Sequence, residues 1–314
     1  MFVWLQNGLG QTANSNDREK VLQHLEEVFG SSGKQAAAIQ SIQAMGTNAI
    51  PYLIETLSYK QTQADKLYDK AYAKAPKVVQ QTMSKPAALE TLREAAGLLL
   101  LNMPETKLYL GDLIPLLEDQ QVTVRRRTAS LLAHHARTAD PSTILACLPA
   151  LKNSDPIVRQ NMANAFIYDA AKLPRVKLAL EAALNDPVEN VRLAVAYSLL
   201  KADENHPTAL KTLEALFTST DAGTRYIAAA YYMQSGQKDS RVEDKLLPIF
   251  ISTISGTPTD LRAPACYALS RFGERAKAAV PVLLKHLQST DPELQKAARE
   301  ALEKIAPEAM PMKP

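Results

Sequence analysis

The sequence is short of the residues that strands and tight turns require: 11 glycines and 6% aromatics in 314 residues. Valine and isoleucine do not recur in alternating runs, so sandwich and barrel architectures are not expected. Two cysteines, Cys147 and Cys266, are too few for a disulfide framework. No apolar stretch approaches the roughly 20 residues of a membrane span. The N-terminal run Phe2, Val3, Trp4, Leu5 gives way to Gln6, Asn7 and Gly8, and is shorter than the apolar part of a signal peptide. The expectation is a soluble chain, cytoplasmic by preference, or exported if a leader was removed. Charge of one sign is also lacking. Lys and Arg number 36 against 33 Asp and Glu, and neither half of the chain is a basic arm, so nucleic acid and anionic membrane are not expected partners.

What is present is material for helices. Hydrophobic residues reach 46% with 22% charged, enough for a core and unlike a disordered chain. A repeat is visible. Arginines 125, 159, 192, 225 and 262 follow one another at intervals of 34, 33, 33 and 37, and Gln295 comes 33 further on. Each has a large apolar residue eight positions before it: Leu117, Leu151, Leu184, Phe217, Ile254 and Leu287. A fixed period of this length is the signature of a solenoid.

Within each unit an apolar helix, such as 144–151 or 280–287, ends in a polar turn such as Asn153-Ser154-Asp155-Pro156. The Asp carboxylate can cap the next helix while Pro takes its first turn, where no backbone donor is lost. The second helix then carries Ala and Leu at helical spacing. Two earlier hairpins are less regular: 17–29 with 34–45, ended by Gly46, and 49–57 with 89–101, where Arg93 stands 32 before Arg125. The expected fold is therefore all-α, an α-α superhelix of about eight helix hairpins over 17–306. Residues 1–16 are expected to cap its open end, and 307–314 form a Pro-rich tail. Neither helix of a hairpin can bury its apolar stripe alone, so neighbours must stack.

The pattern in Asp155-Pro156-Ile157-Val158-Arg159 and in Ala297-Ala298-Arg299-Glu300-Ala301-Leu302 resembles the short HEAT repeats of phycobilisome-lyase-type proteins. That resemblance implies the solenoid fold; there are two expectations for function, of which only the second comes from the resemblance. The first is a non-catalytic scaffold for another protein, holding an extended or helical segment, monomeric and without cofactor. The second is a bilin lyase or chromophore-attachment chaperone, whose groove would use Tyr197, Tyr226, Tyr267 and Arg271. A HEAT-like nucleic-acid-binding or DNA-repair protein ranks below both, because the charge is balanced.

Three sets of residues are singled out. Arginines 93, 125, 159, 192, 225 and 262 form a structural ladder, each expected to pair bidentately with the Asp-containing turn of its own or the next unit. In HEAT-type arrays the second helices line the concave side. There, positions one, five and eight after the Arg give a strip with Leu193, Tyr197, Tyr226, Met233 and Tyr267, bordered by Lys201 and Arg271. The strip reads either as a binding surface or as packing between adjacent second helices. The insert at 58–88 separates the helices of the second hairpin and holds six Lys against two Asp. Its Lys66, Lys70 and Lys74 lie at helical spacing beside Tyr68 and Tyr72, which suits an acidic or phosphorylated partner, or else a solvated face. A second basic cluster is Arg125-Arg126-Arg127 with His134, His135 and Arg137.

Signs of catalysis are missing. The five histidines, His24, His134, His135, His206 and His286, are scattered, and none precedes Glu as in the HEAT-type iron hydroxylases. No metal is expected. There is no phosphate-binding glycine loop and no Gly-x-Ser-x-Gly elbow. Cys147 and Cys266 read as small core residues.

Overall fold

The computed structural model describes residues 15–28, 33–82, 88–237 and 239–310, and among them there are helices and no strand. The expected N-terminal cap, Lys85 and the end of the tail lie outside the described residues. The chain divides into two compact units, Met1–Ala165 and Phe166–Pro314.

In the first unit the hairpins are α1 (Ser15–Val28) with α2 (Gln35–Ala44), and α3 (Ile50–Ser58) with α6 (Leu89–Asn102). Between the latter two lie α4 (Gln63–Lys74) and α5 (Lys77–Gln80) of the insert. Next come α7 (Leu110–Leu113) before α8 (Val122–His135), and α9 (Pro141–Ala146) before α10 (Pro156–Ala165). In the second unit α11 (Pro174–Ala183) precedes α12 (Glu189–Ala202), α13 (Pro207–Leu216) precedes α14 (Ala222–Gln234), α15 (Ser240–Ser255) precedes α16 (Arg262–Ser270), and α17 (Val280–His286) precedes α18 (Pro292–Ile305). The all-α hairpin array expected from the period is therefore what the described residues form, four hairpins among those of each unit.

The pairing follows from where the apolar residues fall. α3 buries Leu53 and Leu57, α6 buries Ala96 and Leu100, and the two pack together across the insert. α16 buries Ala265, Cys266 and Leu269 against α18, which buries Ala297, Ala298 and Ala301. Alanine on the facing surfaces lets these second helices approach closely. The helix starts obey the capping chemistry: Asp140, Asp221 and Asp291 accept backbone N–H bonds of their helices, and Asp155 accepts the N–H of Ile157 at 2.9 Å. Gly46 takes φ 53° just beyond α2, a left-handed position that a side chain would strain.

Two expectations are corrected here. The first helices of some hairpins are not continuous: the expected helix 144–151 is an α turn, Pro141–Ala146, followed by a 3-10 turn, Leu148–Lys152. Pro149 withholds a backbone donor and clashes with the preceding turn, so the α pattern stops there. Pro115 acts the same way in Ile114–Glu118.

The second correction concerns the arginines. Their guanidinium groups donate to main-chain carbonyls of the preceding turn, acceptors that the expectation did not include. Arg125 donates to Asp119 C=O at 2.7 Å and Gln120 C=O at 3.1 Å. Arg159 repeats this on Asn153 and Ser154 (2.8 and 3.3 Å), Arg192 on Asp186 and Pro187 (2.8 and 3.2 Å), and Arg225 on Ser219 and Thr220 (2.6 and 3.1 Å). Arg262 donates from Nε to Gly256 C=O at 2.9 Å, and Gln295 reaches Leu287 C=O at 2.7 Å. The carbonyls of the turn have no intrahelical partner, and one guanidinium nitrogen, Nη1 of the following Arg, meets two of them. Arg93 departs from the rule. It is buried, and it donates to Tyr59 C=O and to Glu90 at 2.6 Å.

Other residues also tie neighbouring repeats. In the first unit Arg126 donates from Nε to Asp155 Oδ2 at 2.7 Å, and Asn153 Nδ2 donates to Leu117 C=O at 3.0 Å. In the second, Ser219 donates to Glu189 at 2.5 Å and Thr224 to Asn190 at 3.1 Å. Arg126, Arg127 and His135 thus take part in contacts between repeats: Arg127 lies 4.0 Å from Glu90, and buried His135 bonds Leu100 C=O through Nε2 at 3.1 Å.

Candidate functional site

The second helices of the second unit carry the expected strip, and the fold separates its members. Leu193 and Tyr226 are buried, 6% and 8% exposed. The Tyr226 ring stands edge-on to Phe250, with centroids 5.8 Å apart and planes at 76°. Burial, with a smaller contribution from Cys266, pushes its hydroxyl up to about 12. Both residues serve the core. Tyr267 is half-buried.

Tyr197 has a different setting. Its ring lies on that of Tyr231, with centroids 3.9 Å apart and an interplanar angle of 19°. The Lys201 ammonium sits 5.1 Å from the Tyr197 centroid on the next turn of α12, a cation–π contact worth about 0.5–1 kcal/mol at an exposed site. Together with Leu200, Glu204 and Gln234 these residues line an open recess of about 340 Å³. A second recess of about 370 Å³, at the ends of α14 and α16, is lined by Met233, Glu243, Arg271 and Phe272. The expected residues therefore sort into Tyr197 with Lys201 at one recess and Met233 with Arg271 at the other. The tetrapyrrole set of Tyr197, Tyr226, Tyr267 and Arg271 does not gather at one of them.

Tyr231 was not among the expected residues. It stands 34 positions after Tyr197, one repeat length, whereas counting from Arg225 selects Ala230. The Tyr231-Tyr232 doublet was the available signal. On one helix two adjacent residues face different ways, and Tyr232 turns to Phe217, with centroids 5.8 Å apart, while Tyr231 meets Tyr197. Burial, then proximity to Tyr197, raises the Tyr231 hydroxyl pKa.

In the first unit, the insert begins as expected with a helix. Thr62 and Asp65 form a capping box, Thr62 N–H to Asp65 at 2.6 Å and Asp65 N–H to Thr62 Oγ at 3.2 Å. Lys66, Lys70 and Lys74 are exposed on α4, and Tyr68 and Tyr72 are half-buried. The base of α4 borders a trough of about 740 Å³ lined by Lys60, Gln61, Lys66, Arg93, Gln120 and Gln121 among others.

Cys147 and Cys266 are buried, and burial pushes their thiols up to about 11 and about 12, away from the reactive thiolate. Among the described residues no group of three or more His, Cys, Asp or Glu is placed to hold a metal ion. Nor is any described helix long and apolar enough to cross a membrane.

The helix pairing defines the class: an all-α array of helix hairpins. No family model matches the chain, and comparison with curated proteins finds no match. Among solved structures, the complex of CpcE and CpcF of phycocyanin lyase from Nostoc sp. PCC7120 is similar over 96% of this chain and 97% of that one, at 14% identity and a TM-score of 0.41. The karyopherin Kap121p bound to the SUMO protease Ulp1p is similar over 94% of this chain, which spans only 37% of the karyopherin, at 16% identity and a TM-score of 0.43. An engineered protein is similar over 91% and 98% of the two chains, at 18% identity and a TM-score of 0.32. Likenesses this low identify no family, and the architecture rests on the helix pairing itself.

Proposed function

We propose that this chain is a non-catalytic binding array that holds a segment of another protein against the ends of α12 and α14. One observation carries the reading: the stacked Tyr197–Tyr231 pair, capped by Lys201, lies at an open recess rather than inside the core. Tyrosine offers large contact area with a hydrogen-bonding tip and loses little entropy on binding, which is why it recurs at interface hot spots. The neighbouring recess adds Met233, an adaptable apolar side chain, and Arg271, an exposed cation. The pair suits a segment with an apolar or aromatic anchor and a carboxylate near Lys201 or Arg271.

The test is affinity capture with the intact chain beside a Tyr197→Ala, Tyr231→Ala, Lys201→Ala variant, both first shown equally helical by circular dichroism. The expected outcome is a partner held by the intact chain and lost by the variant. Retention of the same proteins by both would sink the reading.

A further inference from the structure

The insert carries a feature that counting charges in the sequence does not show: the fold turns its acids inward and its lysines outward. Asp65 is buried, where its carboxylate accepts the Tyr59 hydroxyl at 2.7 Å and the Thr62 N–H at 2.6 Å. Asp69, one turn on, is half-buried and accepts from Gln61 Nε2 at 3.2 Å. Lys66, Lys70, Lys74 and Lys77 are exposed and make no ion pair with any described residue. The insert's surplus of lysines over acids in the sequence therefore meets solvent, while Asp65 is withdrawn from it and Asp69 is half-buried. Beside the lysines stand exposed apolar side chains, Leu67 at 65%, Val78 at 75% and Val79 at 45%.

At its N-terminal end this face runs through Lys66 into the trough. Lys60 is there 3.3 Å from buried Asp119, and Arg93 is fixed below by Tyr59 C=O and Glu90. Glu90 is the acid that also lines the trough, and Arg93 holds it. The amides of Gln61, Gln120 and Gln121 add polar groups to the wall.

We infer that the outer face of α4, with the trough at its base, is a docking surface for an acidic amphipathic helix of a partner protein. The lysines at 66, 70 and 74 are four residues apart, about 6 Å of helix rise each. Carboxylates four apart on a facing helix repeat at the same interval, and leucines next to them would meet Leu67 and Val78. An anionic membrane is the weaker fit. An interfacial helix needs a broad face of Trp, Phe or Leu to enter the lipid boundary, and α4 exposes one large aliphatic side chain, Leu67. This surface belongs to the first unit and does not depend on the tyrosine recess of the second.

The experiment uses the full chain and two synthetic labelled peptides of equal composition. One is a helix with Glu at every fourth residue and Leu alongside, the other a scrambled order. Fluorescence anisotropy should show the patterned peptide bound about ten-fold more tightly than the scrambled one. The triple variant Lys66→Glu, Lys70→Glu, Lys74→Glu should weaken binding about ten-fold or more. The same charge change at exposed Lys152, Lys211 and Lys285 should leave it within about two-fold. Equal weakening by both triples, equal binding of both peptides, or no binding of either would overturn the proposal. So would binding of phosphatidylserine vesicles in place of the peptide. Circular dichroism melts of both variants check that they remain folded.

Discussion

The tyrosine recess and the lysine face are candidate surfaces built by opposite means. The recess lies within the repeat, on second helices whose other residues fill the core, so its tyrosines are partly structural. The lysine face lies in a segment inserted between two paired helices, α3 and α6, and its lysines are exposed. The first surface couples binding to stability. The second can change its charge without disturbing the array.

That contrast is most easily broken at Tyr226. It sits in the expected strip but is buried against Phe250, so Tyr226→Ala should destabilise the chain by about 3–5 kcal/mol in urea unfolding. A loss no larger than that from Tyr197→Ala would mean the two tyrosines are not divided between core and surface. A smaller effect, about 2 kcal/mol, is expected for Arg192→Ala on the helix that carries Tyr197, since it removes two charge-assisted bonds to the turn. Arg192→Lys should recover only part of this, because the ammonium sits on a shorter side chain than the Nη1 that makes both bonds; full recovery would argue against the carbonyl clamp. Smaller again is the cost of Lys66→Glu, Lys70→Glu, Lys74→Glu, about 1 kcal/mol or less. A marked drop in unfolding midpoint there would show the insert to be structurally tied to the array.

The smallest expected effect is a pH dependence within the first unit. Burial holds the His135 imidazole below the ordinary histidine value, against the opposing bond to Leu100 C=O and with a small push from His134. The unfolded chain then takes up more protons, so the contribution is present above the unfolded value of about 6.5 and is lost as the pH falls through the folded one. Urea midpoints compared at about pH 7 and about pH 5 should differ less for His135→Gln than for the intact chain. An unchanged difference would remove His135 as the cause.

The hairpins, their caps and the arginine positions were legible in the sequence because they depend on neighbours a few residues away. The chemistry of the arginines was legible only in part. An Asp cap such as Asp155 holds the N–H of Ile157 and takes Arg126 of the preceding repeat, and the carbonyls of the same turn accept from Arg159, a partner that charge matching in the sequence did not suggest. Among the strip residues, Leu193 and Tyr226 went to the core and Tyr231 took the place expected of Ala230. The register from Arg to the second-helix face is one residue longer in α14 than in α12, and only the packed helices show it.

The sequence by itself determined a repeating all-α chain, because period, capping and composition act over one or two helical turns. Tertiary structure decided which tyrosines are exposed, which acids of the insert are hidden, and what the arginines hold. Those outcomes depend on how one helix is rotated against the next, and a rotation of one residue moves a side chain by about 100° around the helix.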